Sequence, residues 1–309
     1  EMSKGTILVI GSNATQLEAK GGGSITIGQF LNETAVPLMA VLDAGYDFVL
    51  ATPSGEKPSM DQDSDALIYF ANDDAARTRA RDFFNDHPAM NAVRSVRSVL
   101  DDGLDRFVGV FFPGGHAPVV DVMQDAEVGE VLRHFHDKAK PTAAICHGPM
   151  GILAALEHAR AFRAALIEEN PAKAKELAKD WIYAGYRMTV FSRSEEAYAE
   201  DNVFHAKLHF NMPDALEAAG IEWSSVPVYE HDHTPTSTVT DTSRTDDGYR
   251  LAPALLDRAQ RPTAILAMSD ELARGILQAA SERGIDVPRE LSVVGFDDTP
   301  EAVRSRPPL

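Results

Sequence analysis

Over its first 220 residues the chain alternates short β-rich runs with longer helix-like ones, and this alternation restricts the fold more than any other feature. Residues 7–10, 46–51, 107–112 and 142–145 read as strands. Residues 29–44, 73–85 and 119–139 read as helices, the last with His134, His136 and Lys138 at its carboxyl end, where the helix dipole favours basic groups. Strand and helix in turn imply a mostly parallel sheet with helices on both faces. In such sheets ligands meet the crevice beyond the carboxyl ends of the strands.

Composition narrows the function classes. Apolar residues make up 44% and charged residues 25%, enough for a proper core, and no apolar run approaches the ~18 residues of a membrane span. A net charge of −18 without a lysine or arginine cluster argues against nucleic acid and against a membrane as partner. The start lacks the charged, apolar and small-residue segments of a secretory signal, so a cytoplasmic location is expected. A single cysteine excludes an internal disulfide and a multi-thiolate zinc site, and fits a reducing compartment. Its placement is therefore informative.

That cysteine lies in Ala143-Ala-Ile-Cys146-His147-Gly148-Pro149, a strand followed by small residues and a proline suited to a first helical position. The pattern is a nucleophile elbow with cysteine in place of serine, and a helix N-terminus facing the sulfur is expected to lower the thiol pKa. An inert buried cysteine is the bland alternative. The strand at 107–112 runs into Pro113-Gly114-Gly115-His116, where backbone N–H groups free of Cβ atoms could stabilise an oxyanion formed by attack from Cys146. Glu33 stands at a helix start among apolar neighbours. In the crevice it would be desolvated and its pKa raised for acid–base work beside a thiol; otherwise it is a surface glutamate favoured by the dipole.

The segments Glu33-x-x-x-Pro37, Ala51-Thr-Pro-Ser-Gly55, Pro113-Gly-Gly-His116, Ala144-Ile-Cys-His-Gly-Pro149 and Ala206-Lys-Leu-His-Phe-Asn-Met-Pro-Asp214 resemble the ThiJ/PfpI superfamily, which shares the class I glutamine amidotransferase-like, flavodoxin-like fold. The nearer likeness is to heat-shock-protein-31-type glyoxalase III enzymes and protein deglycases with chaperone activity. The resemblance implies Cys146 as nucleophile, His147 as its triad neighbour and Glu33 as the acid that shuttles the substrate proton. It implies Gly114, Gly115 and His116 as the oxyanion and substrate-binding segment. The third triad member follows a Gly-Phe-Ser/Thr strand in the family. Here Val190-Phe-Ser-Arg-Ser-Glu195-Glu196 occupies that place, with Glu196 preferred over Glu195. The implied substrate is a small 2-oxoaldehyde, converted to lactate in the case of methylglyoxal, with no cofactor and no metal; a homodimer is compatible with it.

Around Gly220 the character changes: the remaining residues carry arginine but no lysine, and a Thr/Ser/Asp-rich loop fills 231–247. Residues 263–268, 270–283 and 291–296 read as a βαβ piece. Residues 248–256, 261–275 and 287–298 resemble the effector-binding core of lac-repressor-family regulators, a periplasmic-binding-protein-like fold in which the aspartate matching Asp270 contacts a sugar. The companion lobe is largely missing, so Asp270 is expected to be vestigial, and no helix-turn-helix headpiece is found. The expected organisation is a chimera: residues 1–220 as a ThiJ/PfpI domain and 221–309 as a partial effector domain, joined within 215–222. The alternatives to an active enzyme are a chimera with impaired activity, a non-enzymatic holdase and a sugar-sensor module. The stretch 159–180 is read as an exposed helical insertion.

Overall fold

The computed structural model describes residues 3–188, 190–223, 245–257, 264–267, 269–295 and 299–309. The chain forms two compact units, Glu1–Ser224 and Ser225–Leu309.

The first unit is a doubly wound α/β layer. Strands β1 (Thr6–Ile10), β2 (Asp47–Thr52), β3 (Arg94–Ser95), β4 (Phe107–Phe112) and β5 (Thr142–Ala144) form one sheet in the order β3-β2-β1-β4-β5, with every pair parallel. Successive strand residues point to opposite faces, and the core divides accordingly. Leu8 and Ile10 join a cluster with Phe107, Phe112, Phe135 and Phe162, whereas Val9 joins Leu31, Leu38, Phe48 and Phe84 on the other face. Burying each such side chain contributes roughly 1.5–3 kcal/mol, so a strand slipped by one residue would exchange both cores at once.

Helices α1 (Leu31–Asp43) and α2 (Asp74–Asp86) cover the second of these faces, and α3 (Ala126–Asp137) the first. Asp73 starts α2 by accepting the N–H groups of Ala75 and Ala76. Asp125 does the same for α3 with Glu127 and Val128, which satisfies donors that lack intrahelical partners. That cap corrects one sequence expectation. The helix expected over 119–139 begins only at Ala126, because Ala117–Val119 and Val122–Gln124 are separate 3₁₀ turns ahead of it.

The stretch 159–180 also departs from expectation. It is two helices, Ala159–Ile167 and Pro171–Leu177, broken where Asn170 caps the second, and Phe162, Ala165 and Ala174 are fully buried. Its lysines and glutamates are a solvated face, while an apolar face enters the core. Strand β5 is the outermost strand of the sheet, and Thr142, Ala143 and Ala144 are exposed rather than buried.

Beyond the sheet, helix α4 (Arg193–Ala199) opens with a capping box in which the Ser192 hydroxyl accepts the Glu195 N–H and the Glu195 carboxylate accepts the Ser192 N–H. A further helix, Met212–Ala219, ends at Gly220, whose φ of +107° closes it.

In the second unit β6 (Ala264–Leu266) pairs in parallel with β7 (Ser292–Val294), connected by helix α6 (Asp270–Glu282), the βαβ order read from the sequence. Helix α5 (Thr245–Leu256) precedes them and packs on α6 through Ala252, Leu256, Leu272, Ala273 and Ile276. The loop expected over 231–247 lies outside the described residues except for 245–247, which begin α5; residues 296–298 also lie outside them. Among the described residues, no helix is long and apolar enough to cross a membrane.

Candidate active site

The chain leaves β5 and turns at Cys146, which is held at φ +54°. For a residue with a Cβ this left-handed conformation costs about 1–3 kcal/mol and persists only where the surroundings enforce it. The element that follows, Gly148–Ala155, is a buried 3₁₀ helix rather than a regular α-helix. Backbone N–H groups of Gly115 and His147 lie within hydrogen-bonding reach of the sulfur.

On one side of Cys146 a relay of side chains is assembled. The sulfur lies 3.3 Å from Nδ1 of His147. His147 Nε2 lies 2.7 Å from Oε2 of Glu196, and His116 Nε2 lies 2.7 Å from the other oxygen, Oε1. His147 is 1% exposed and Glu196 3%. An ionised carboxylate can only accept hydrogen bonds, so both imidazoles carry their hydrogen on Nε2. In the neutral ring Nδ1 of His147 is then the acceptor that faces the thiol, placed to receive the thiol proton.

Glu196, in the first turn of α4, is the carboxylate on His147, while its neighbour Glu195 is taken by the capping box. Burial alone would raise the Glu196 pKa. Its interactions with the two histidines, each hydrogen-bonded to one of its oxygens, outweigh it and hold the carboxyl below the usual range. His116 is held below the ordinary histidine value by burial and by His147, and stays neutral.

On the other side stands Glu33, in the first turn of α1. Its carboxyl is hydrogen-bonded to Cys146 and reached by the Gly115 N–H, and burial raises its pKa to about 7. Its Oε2 is buried with no hydrogen-bond partner. Any side chain at Gly114 would strike this oxygen and the Cys146 Cβ, so the glycine is what lets acid and thiol meet. Burial and the Glu33 carboxylate together push the Cys146 thiol up, against the expectation of a thiol acidified by a helix terminus. The two backbone N–H groups act in the expected direction but are outweighed by desolvation. Thiol and carboxyl are hydrogen-bonded neighbours, and a negative charge on Glu33 opposes ionisation of the thiol.

Of the residues singled out in the sequence, Cys146, His147, Glu33, Glu196, Gly114, Gly115 and His116 converge on one point. His116, grouped in the sequence with the glycine cradle, instead turns its ring to Glu196 and lies with its centroid 3.8 Å from that of His147. Asp270 is not an open ligand-binding group: it is 2% exposed and accepts the Thr299 N–H through Oδ2 at 2.6 Å.

Three site residues went unread. Asp61 is 8% exposed and close enough to His116 and Glu33 to affect their charges. Phe191 and Phe204 wall the two imidazoles, at 4.7 Å from His147 and 4.8 Å from His116 between ring centroids. Asp61 is brought in by backbone pairing of distant loops, Gln29 N to Ser59 O at 2.8 Å and Asp61 N to Gln29 O at 3.0 Å, which has no local signature. Phe191 lies in the segment 190–196 that carries Glu196, where its apolar character marks a strand and not a wall of the site.

The first unit is thus a doubly wound, mostly parallel α/β domain with a cysteine at a strained turn, a histidine–carboxylate relay and an adjacent acid. Residues 92–165 match the DJ-1/PfpI family, and residues 182–309 match a periplasmic binding protein-like domain, so the chain joins a DJ-1/PfpI segment to a periplasmic-binding-protein-like one. The second match reaches back into the first unit and includes Glu196. The protein/nucleic acid deglycase HchA of Pseudomonas aeruginosa (strain UCBPP-PA14) is 23% identical over 188 residues, 60% of this chain and 56% of that protein. Catabolite control protein A of Priestia megaterium is 32% identical over 110 residues, 36% of this chain and 30% of that protein. The chain therefore spans less than two thirds of either relative. A crystal structure of glyoxalase III from Candida albicans superposes with a TM-score of 0.49 at 16% identity, covering 73% of this chain and 84% of that one.

Proposed function

We propose that the first unit, read as an enzyme domain over 1–220, is a glutathione-independent glyoxalase acting on small 2-oxoaldehydes. The thiol proton of Cys146 passes to Nδ1 of His147, and the sulfur attacks the aldehyde carbon. The carbonyl oxygen, held by the Gly115 N–H, takes up a proton, giving a hemithioacetal. Glu33 then carries the proton from the former aldehyde carbon to the neighbouring carbonyl carbon while the hemithioacetal hydroxyl proton passes to the neighbouring oxygen, leaving a thioester of a 2-hydroxy acid. Water cleaves the thioester and restores the thiol; with methylglyoxal the net reaction adds one water and yields lactate. Protein deglycation of the same aldehyde adducts would begin from the same thiol.

The observation that carries this reading is Glu33 beside the sulfur with a pKa near 7, a group able both to take and to give a proton at neutral pH. A hydrolase relay needs only the opposite side, His147 and Glu196. The test is to incubate the protein with methylglyoxal alone and follow aldehyde loss and lactate gain, with Cys146→Ser and Glu33→Gln alongside. Both variants should lose the activity; wild type no faster than Cys146→Ser would end the enzyme reading.

A holdase reading has one observation in its favour: Leu67, Ile68 and Tyr69 are consecutive and exposed at 41%, 63% and 39%. Suppression of aggregation of a denatured client would then persist in Cys146→Ser and fall in Ile68→Ser.

A further inference from the structure

Glu196 holds two imidazoles rather than one, and this has a consequence for cations. One ring nitrogen each of His116 and His147 and a Glu196 carboxylate oxygen lie within 4.8 Å of one another. All three side chains come from different parts of the fold, on the turn after β4, the turn after β5 and α4, and their hydrogen bonds aim the donor atoms at one another. Two neutral imidazoles and one carboxylate are a set that zinc and related divalent ions favour. The surroundings add negative charge, because Asp61 acts on His116 and Glu33 stands beyond the thiol.

We infer that His116, His147 and Glu196 form a binding site for a borderline divalent cation, zinc in the first place, which locks the relay when occupied. Zinc binds imidazole nitrogen and carboxylate oxygen at roughly 2.0–2.2 Å, so two ligand atoms in a tetrahedral shell stand about 3.3 Å apart. The two nitrogen–oxygen separations of 2.7 Å, each to a different oxygen of the carboxylate, must therefore open by about 0.6 Å to admit the ion. Each ring keeps one proton, moved from Nε2 to Nδ1, and no redox partner is involved. In His147 that places the hydrogen at Nδ1, 3.3 Å from the Cys146 sulfur, where it donates to sulfur and can no longer accept the thiol proton. The inhibition rests on the relay proposed above, whereas the binding does not.

The experiment uses the full chain, stripped with a chelator and dialysed. Cobalt(II) is titrated by visible absorption, and zinc is then titrated against bound cobalt. Wild type and Cys146→Ser should bind a single ion alike, since the thiol is not a ligand, while His116→Ala and Glu196→Gln should weaken binding by about a hundredfold. Far-ultraviolet circular dichroism confirms that each variant is folded, and His116→Gln provides a second, polar replacement that should also lose the ion. Binding that vanishes in Cys146→Ser would put the ion on the sulfur and overturn the proposal, as would equal binding by wild type and Glu196→Gln. Methylglyoxal turnover should fall with the same zinc midpoint as cobalt displacement; turnover unchanged at full occupancy would overturn the lock. A wild type that binds the ion but never turns over aldehyde would contradict the glyoxalase reading and leave the site standing.

Discussion

Replacing Glu33 by glutamine removes a buried carboxyl while keeping its shape, and its effect on stability should depend on pH in a direction the structure specifies. The folded-state pKa of Glu33 is about 7 against an ordinary 4.5, chiefly because burial opposes its ionisation. Below pH 4.5 the group is neutral in both folded and unfolded chains. As pH rises from 4.5 to about 7 the unfolded chain ionises first, so wild type loses stability through that window; above it both states are ionised and the loss is complete. At about 1.4 kcal/mol per pH unit the window amounts to about 3 kcal/mol. Glutamine has no such slope, so the variant should gain about 3 kcal/mol on wild type between pH 4.5 and pH 8, whatever their difference at the acid end. Both tryptophans, Trp181 and Trp223, lie in the first unit, so urea unfolding followed by their fluorescence reports on the right domain. If the stability difference between the two proteins is the same at pH 4.5, 6 and 8, Glu33 does not carry a raised pKa and the acid–base role assigned to it fails.

The other expectations are narrower. Gly114→Ala should cost about 1–3 kcal/mol by overpacking against Glu33 and Cys146, and should lower methylglyoxal turnover by more than it lowers aldehyde binding; turnover equal to wild type would mean that Glu33 and Cys146 need not touch. Asp270→Ala should leave Thr299 N–H without its buried partner and destabilise the second unit by about 1–3 kcal/mol, measured by hydrogen exchange in α6; unchanged protection there would remove its structural role. A sugar that saturably stabilises the second unit would show instead that Asp270 remains available to a ligand.

Local patterns carried a good part of the structure. The short apolar run Ile7-Leu-Val-Ile10 and the succession of strand-like and helix-like runs after it are written in consecutive residues, so the doubly wound class could be read before any contact was known, and the pleat then sends Leu8 and Ile10 to one core and Val9 to the other. Capping residues were equally local, yet Asp125 was passed over, and with it the true start of α3, because Val119–Gln124 is as apolar as a helix without being one. The buried face of 159–180 was hidden by its many charged residues, which mask the few positions that face the core.

What the sequence by itself determined about the site is its cast: one cysteine on a strand-to-helix turn, a histidine beside it, a paired glycine after a strand and an acid at a helix start. These are statements about neighbours in the chain, and neighbours in the chain are constrained by covalent geometry alone. Only the tertiary structure decided what the members do to one another. Glu196 reaches His147 across 49 residues and His116 across 80, distances at which sequence spacing says nothing about contact. The protonation of Cys146 and Glu33 was decided there too, because desolvation depends on everything packed around a group, and it reversed the direction expected for the thiol.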